Sequence, residues 1–578
     1  MKHSITKSLF TLLVTACLPV VASAQYFETG GIGYNVLSAT EQTVEVWPLQ
    51  CNFYRGSINI PSTVTYNGTT YDVVALGRRA FYGATLSSVT IPSSVTQIKY
   101  GCFLFANGPS TITVPASVTD IGTLAFAANN LNSINVDESN PNYRSIDGLL
   151  FSKDTSAIVE CPMKKSGTIT LPQNTRHIAP DAFAYCQTLT GVNLPDSLLS
   201  IGEASFLYAN HLTNIAIPAT VSHIGNNPFG GCSALNNLTL AEGNSHYYMD
   251  GKAIYTIGGD TLVSCHKSAD SVFLPGTLRV VSGFNSNHDV RYVHVPDGVT
   301  EIRDNAFGNS SLVSIDLPAQ MALIDEYAFY YCESLTHVGM PATLGYLGEG
   351  CFEACSSLPS IVIPNGISTI PEQAFYFCES LSQITWGNDV AVIDSFAFGG
   401  CAFTEIKLPS TLHSIRMGAF EGYDNGSLRK VVFTAPVDTV EPEAFTMQPL
   451  RILRFRNTVP PVTVTSPEYG EDYGCLYMAD VDTIVVPCGS LNAWLSDCYW
   501  GQYANLYVED CNMSIGDPDA NAVNIYTFGG RIIVDGAEGE TVSIFDITGR
   551  NVSNEALHTG VYIVKVGDRP ARKIVVMK

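Results

Sequence analysis

The chain has 578 residues, with 30 Lys and Arg against 53 Asp and Glu and a net charge of −23. Binding nucleic acid requires a basic face to neutralise phosphates, so this balance argues against that function. Hydrophobic residues make up 46% and charged residues only 14%, which excludes a largely disordered chain. Length alone suggests three or four domains at roughly 150 residues each, unless the chain repeats and grows in one dimension. Many Gly, Pro, Tyr and Phe with few charges indicate a turn-rich β protein.

The first residues, MKHSITKSLFTLLVTACLPVVASAQ, place Lys2, His3 and Lys7 before a mostly apolar run from Leu9 to Val21. Ala22-Ser23-Ala24 has the small-x-small form that signal peptidase accepts. Cleavage is therefore expected between Ala24 and Gln25, with residues 1–24 as signal peptide. The apolar run is too short for a membrane anchor and has no stop-transfer charges after it. Cys17, preceded by Val14-Thr15-Ala16, offers a weaker lipoprotein-type alternative. No later run reaches the roughly 18 apolar residues of a spanning helix, so no transmembrane segment is expected after signal removal.

The middle of the chain repeats. The line Leu358-x-x-Ile361-x-Ile363-Pro364-x-x-Ile367-x-x-Ile370-x-x-x-Ala374-Phe375-x-x-Cys378 begins again at Leu381, 23 residues on. Its Phe recurs at Phe81, Phe103, Phe126, Phe183, Phe206, Phe229, Phe307, Phe329, Phe352, Phe398, Phe420 and Phe445. In Ile361-Val362-Ile363 the two isoleucines share one face of a strand and point inward. The following Pro lacks an N–H and ends the strand. Ala-Phe then supplies the opposite wall. One line cannot bury its own apolar face, so neighbours must stack into a continuous core with a ladder of parallel strands.

This pattern resembles the BspA-like leucine-rich repeat family, found on microbial surfaces. The expected fold is mainly β: a leucine-rich repeat solenoid over residues 76–459 with repeats of about 23 residues, and a small C-terminal β-sandwich. Gly31-Ile32-Gly33-Tyr34 through Ile60-Pro61 looks like the family's opening segment and implies an N-terminal β cap over 25–75. Two insertions, near 135–170 and 237–272, break the period. Asn140-Pro141-Asn142-Tyr143 with Asp147-Gly148 matches Asn244-Ser245-His246-Tyr247 with Asp250-Gly251. Asp-Gly between apolar runs signals a hairpin. Each insertion is either a binding protrusion or, the favoured reading, a repeat variant that widens the coil.

Residues 460–512, with Val486-Pro487-Cys488-Gly489-Ser490 and Trp494, Tyr499 and Trp500, resemble the family's closing cap. A Gly-, Asp- and Asn-rich linker follows at 513–522. Residues 523–578 alternate in short runs such as Val542-Ser543-Ile544 and Val561-Tyr562-Ile563-Val564, which read as strands. Gly549-Arg550 and Thr559-Gly560 read as turns between them. This small β-sandwich resembles the C-terminal sorting domain of type IX secretion cargo, on Val542 to Asp546, Gly549-Arg550, Leu557, Gly560-Val561-Tyr562 and the basic ending from Arg572 to Lys578. The resemblance implies recognition by that secretion machinery and an outer-membrane surface or extracellular location.

Six cysteines share one repeat register: Cys186, Cys232, Cys332, Cys355, Cys378 and Cys401. They read as a column of buried free thiols. Cys475, Cys488, Cys498 and Cys511 crowd the closing cap of an exported chain, so one or two disulfides are plausible there, with the pairing open. No Cys-x-x-Cys, His-Glu-x-x-His, Gly-x-Ser-x-Gly or phosphate loop occurs. Asp517-x-Asp519-x-Asn521 starts like a calcium loop, but Ala522 stands where Gly is required and no Glu follows at the twelfth place. No cofactor or metal is expected, and no enzyme signature survives.

The outward strand residues, among them Thr385 and Lys407, form a mixed, flat row. Tyr185, Tyr208, Tyr330, Tyr331, Tyr376 and Phe377, just after the repeat Phe, form an aromatic row. Aromatic rings of this kind suit protein interfaces. From the two rows, Tyr330, Tyr331, Tyr376, Phe377, Thr385 and Lys407 are the candidate ligand-binding residues. The family resemblance implies a non-enzymatic cell-surface or secreted protein adhering to host extracellular proteins or to surface proteins of other bacteria. The alternative is a glycan-binding accessory protein for nutrient capture.

Overall fold

The computed structural model describes residues 26–49, 53–423, 426–463, 474–511, 524–528, 531–535, 541–554, 557–558, 560–567 and 572–576. The chain divides into two compact units, Met1–Thr190 and Gly191–Lys578. Each contains stacked coils that repeat about every 23 residues.

Each coil has three walls. The first is the strand before the Pro. Ser314–Asp316 pairs in parallel with His337–Gly339, residue for residue. Ile361 and Ile363 are 2% and 1% exposed, whereas Val362 between them is 56% exposed. That alternation is the period-2 pleat of a strand with one buried face. After the strand the Pro carbonyl closes a turn: Met321 N–H donates to Pro318 O at 2.9 Å. The second wall is a ladder of two-residue strands, such as Glu301–Ile302, Leu323–Ile324 and Tyr346–Leu347, also parallel. Two residues are too few to show a sequence period, so only the structure reveals this ladder.

The third wall carries the repeat Phe. Its backbone N–H donates to the carbonyl of the residue that precedes the next coil's Phe: Phe329 to Cys351 O at 2.8 Å, Phe352 to Ala374 O at 2.9 Å and Phe375 to Ala397 O at 2.8 Å. The rings stack accordingly. Phe307 and Phe329 lie 5.2 Å apart at 1°, and Phe375 and Phe398 5.3 Å apart at 2°. Phe284 belongs to this column, 5.0 Å from Phe307. The sequence pattern misses it because it follows the second insertion and has Gly283, not Ala, before it.

In the first unit, strands Tyr26–Thr29, Ile32–Ser38 and Thr43–Trp47 form an antiparallel meander. Thr43–Trp47 then pairs in parallel with Thr69–Leu76, which pairs with Gln97–Ile98 of the two-residue ladder. The meander thus covers a sheet edge that would otherwise be open to another chain.

Both insertions are hairpins followed by a third strand. Tyr143–Ile146 and Leu149–Ser152 are joined by Asp147-Gly148, both at positive φ, which suits a tight hairpin turn. In the second, Asp250 closes its strand against Ala253, so Gly251-Lys252 and not Asp250-Gly251 forms the turn. The third strand of the first insertion, Ala157–Glu160, pairs in parallel with His177–Ile178 and so rejoins the ladder.

The closing segment packs Trp494 and Trp500, both fully buried, against Phe455 at 4.9 and 5.3 Å. Their ring N–H groups donate to Asn457 O and Pro461 O. A buried ion pair joins Arg454 to Asp510. Farther on, Asn524–Phe528 pairs with Arg531–Asp535, and Gly560–Val566 lies between Val542–Asp546 and Arg572–Val576, all antiparallel. Gly560, read from sequence as a turn residue, is the first residue of its strand. Among the described residues, no helix is long and apolar enough to cross a membrane.

One substitute in the Phe ladder is ionisable. The Phe126 N–H donates to Glu160 Oε1 at 2.9 Å in place of a neighbouring carbonyl. Glu160 Oε2 is buried without a hydrogen-bond partner among the described residues. Burial raises this carboxyl from 4.5 to about 8, against the pull of the Phe126 N–H. The folded chain therefore holds a proton that the unfolded chain releases. This stabilising contribution is complete below pH 4.5 and is lost as pH rises through about 8. Glu160→Gln keeps the acceptor and removes the charge. Its urea midpoint should fall less than the parent's between about pH 5 and about pH 9. Identical pH dependence in both proteins would contradict this assignment.

Candidate interaction surface

The turn after each repeat Phe builds a surface from fixed positions. The residue next to Phe is Tyr330, Glu353, Tyr376, Gly399 and Glu421 on successive coils. The residue after that is Tyr331, Ala354, Phe377, Gly400 and Gly422. Backbone bonds hold these positions in register: Tyr331 N–H donates to Glu353 O at 2.8 Å, and Ala354 N–H to Tyr376 O at 2.7 Å.

The structure brings Tyr330 to Tyr331, with ring centres 4.5 Å apart, and Tyr376 to Phe377 at 4.3 Å. The Glu353 coil separates the two pairs. Tyr331 is 40% exposed, while Tyr330, Tyr376 and Phe377 are half-buried. Three aromatic residues join them that the sequence reading left out. Tyr327 packs on Tyr330 at 5.7 Å, Phe396 on Tyr376 at 6.0 Å and Tyr423 on Phe377 at 4.8 Å. The Tyr376 and Tyr423 hydroxyls are hydrogen-bonded.

Glycine makes room for these rings. A Cβ on Gly350 would sit 2.4 Å from the Tyr327 ring, one on Gly400 2.8 Å from Phe377 and one on Gly418 2.4 Å from Phe396. Each glycine occupies, one coil later, the repeat position of the ring it accommodates. An aromatic residue followed by Gly 22 or 23 positions on was therefore a readable signal for Tyr327 and Phe396.

Carboxylates lie among the rings. Tyr327 OH donates to Glu349 Oε1 at 2.5 Å. Burial, then the charge of Glu349, pushes Glu353 up to about 7. Burial, then Glu349 and Asp394, also raises Glu372. Burial raises Glu421 against a hydrogen bond from Tyr423. Among the described residues, none of these four carboxylates forms an ion pair with Lys or Arg.

Thr385 and Lys407 lie on a different wall, on the outward face of strands Gln383–Thr385 and Glu405–Leu408, and both are exposed. Thr385 stands opposite Val362, and the Lys407 carbonyl accepts the Trp386 ring N–H at 2.8 Å. The same wall carries Phe273, 76% exposed and stacked on His294 at 4.0 Å. Val272-x-Leu274-Pro275 repeats the strand-Pro pattern, so its middle residue, Phe273, was available to sequence reading. Ala24 and Gln25, with the linker residues Asp517, Asp519 and Asn521, lie outside the described residues.

The description "BspA type leucine rich repeat region" matches residues 74–163, 159–258, 281–390 and 368–464, more than half of the chain. This chain belongs to the BspA-type leucine-rich repeat family. Among solved structures, a leucine rich cell surface protein from Faecalibacterium prausnitzii A2-165 is 27% identical, with a TM-score of 0.35; the match covers 68% of this chain and 95% of that one. A leucine-rich repeat protein from Bacteroides ovatus is 22% identical over 76% of this chain and 100% of that one, with a TM-score of 0.33. The pneumococcal vaccine antigen PcpA is 16% identical over 71% and 99%, with a TM-score of 0.34. No curated protein matches the chain.

Among the described residues, the cysteines of this BspA-type chain are free thiols apart from one pair. Cys332, Cys355, Cys378 and Cys401 each donate to the carbonyl of the preceding coil's Phe, at 3.0, 3.2, 3.1 and 3.3 Å. Burial pushes the Cys332 thiol up to about 12. In the closing segment, Cys488 is bonded to Cys511. Cys498 is an exposed thiol and Cys475 a buried one. Cys475 is unpaired because it belongs to one more coil: its carbonyl accepts the Phe445 N–H at 3.0 Å, as Ala444 O accepts that of Phe420. Among the described residues, no group of three or more His, Cys, Asp or Glu could hold a metal ion.

Gly350 has φ +56 and holds the Tyr327 ring against the next coil. Gly350→Ala should destabilise the chain by about 1–3 kcal/mol and displace Tyr327. Gly345→Ala, where nothing lies within 4 Å of the added Cβ, should change stability by about 0.5 kcal/mol or less. Chemical denaturation of both variants checks this; equal effects would rule out the ring-seat role.

Proposed function

We propose that this chain is exported and displayed at the cell surface or released, and that its solenoid binds a protein partner by its turn-side face. The observation that carries this reading is the aromatic column of Tyr327, Tyr330, Tyr331, Tyr376, Phe377, Phe396 and Tyr423, held by backbone register and glycine seats. Rings held in place lose little entropy on binding, and aromatic residues dominate interface energetics. The interleaved carboxylates suit a partner that presents Lys and Arg. Family membership supports adhesion to host extracellular proteins or to the surface proteins of other bacteria. Residues 1–24 act as the signal peptide, and residues 523–578 address the chain to the type IX secretion machinery.

The first test is localisation, with a tag inside the solenoid and with or without the residues after Asn521. External protease should reach the tag on intact cells carrying the full chain and not on cells carrying the truncated one. Periplasmic retention of the full chain would sink the surface reading. The mature chain is then tested on arrays of host-matrix and bacterial-surface proteins. Tyr331→Ala combined with Phe377→Ala should weaken the strongest interaction by about tenfold or more without unfolding the chain. Unchanged binding would remove this face from the interface.

A further inference from the structure

The two inserted segments leave the turn-side wall in different conditions. In the first, Cys161 N–H donates to Ala182 O at 2.7 Å, and Lys164 N–H already returns to Leu131 O at 3.0 Å. The chain leaves this wall before building the turn that an ordinary coil places after its Phe. Phe105 and Tyr185, both two positions after a repeat Phe, meet across the gap with ring centres 5.1 Å apart at 83°. The result is a notch of about 230 Å³. Met163, 7% exposed, also lines it. Asn130, Gln187 and Lys164 contribute exposed polar side chains.

In the second insertion the corresponding positions are filled by their own polar groups. Cys265 stands where Cys161 does, and Asn287 Nδ2 donates to its carbonyl at 2.7 Å. Asn287 Oδ1 accepts two backbone N–H groups at 3.1 Å. Ser286, at the repeat position of Tyr185, donates to the Tyr208 hydroxyl at 2.7 Å. Asn285, Ser286 and Asn287 are 7%, 3% and 1% exposed. The stacking geometry therefore permits closure, and the first insertion carries different residues.

We propose that the notch of the first insertion binds a single carboxylated sugar residue. The two rings offer faces and edges to the C–H face of a pyranose. The amides of Asn130 and Gln187 each supply a donor and an acceptor to neighbouring hydroxyls. Among the described residues that line the notch, Lys164 carries the only charge, in a chain whose net charge is −23. Its ammonium can supply a charge-assisted hydrogen bond to a carboxylate. The notch is smaller than the roughly 300 Å³ at which pockets for drug-sized ligands begin, which suits one ring. The site shares no residue with the aromatic column, so either function can fail without the other.

The experiment uses the mature full chain, with saturation-transfer NMR and calorimetric titration. N-acetylneuraminic acid represents the acidic terminus of a glycoprotein glycan, and methyl glucuronide the acidic unit of a polysaccharide. Methyl glucoside is the neutral control. At least one acid should bind, and the neutral sugar should bind about tenfold more weakly. The stronger acid identifies the source. Lys164→Gln should remove the preference for acid. Asn130→Ala with Gln187→Ala should weaken binding by about tenfold or more. Lys165→Gln, a neighbouring charge that does not line the notch, should change nothing. No binding of either acid overturns the proposal. So does equal binding of the neutral sugar, binding unaffected by the notch substitutions, or an equal loss in Lys165→Gln.

Discussion

Successive coils are held in register by a backbone hydrogen bond from the N–H of the buried Phe to a carbonyl one coil away. This bond runs along the stacking direction, and a buried N–H left without a partner costs free energy comparable to a lost hydrogen bond. Most coils therefore present an acceptor at the same height. Two replacements stand in where the repeat changes: the Glu160 side chain for Phe126 and the Cys475 carbonyl for Phe445. The first of these makes the wall sensitive to protonation. The second extends the stack into the closing segment, where the two buried tryptophans and the Cys488–Cys511 disulfide follow.

The same register constrains side chains. A residue repeated at one position meets its own counterpart, so rings stack on rings at 5.0 to 5.5 Å through most of the Phe column of the second unit. Cysteine recurs three places later because a small apolar group with a weak S–H donor fits beside the preceding Phe carbonyl. Glycine recurs where the previous coil lays a ring flat. Function is left to the positions that stacking does not dictate: the outward strand residue, the two turn residues after Phe, and the inserted segments.

Much of this was legible beforehand. The inward isoleucines, the strand-ending Pro and the Phe column follow from period and side-chain chemistry, and family membership rests on the same lines. The aromatic row was visible as Tyr330, Tyr331, Tyr376 and Phe377. Tyr327 and Phe396 were readable only through the glycine one coil later, and Tyr423 was not, because its contact with that row comes from packing between coils. The two-residue ladder was invisible for a different reason: a strand of that length has no measurable alternation.

The sequence by itself determined the repeat length, which face of each strand is buried, and the positions of the two interruptions. These depend on local periodicity and on residues that cannot do otherwise, such as a Pro without an N–H. Only the tertiary structure decided that Cys488 meets Cys511 while Cys475 is buried as part of a further coil. It also decided that Glu160 caps an orphaned N–H, and that Phe105 and Tyr185 face each other across an open notch while Ser286 and Asn287 close its counterpart. Each of these depends on which residues come level when coils stack. That height is set by backbone hydrogen bonds between coils, and linear spacing does not record it once an insertion has intervened.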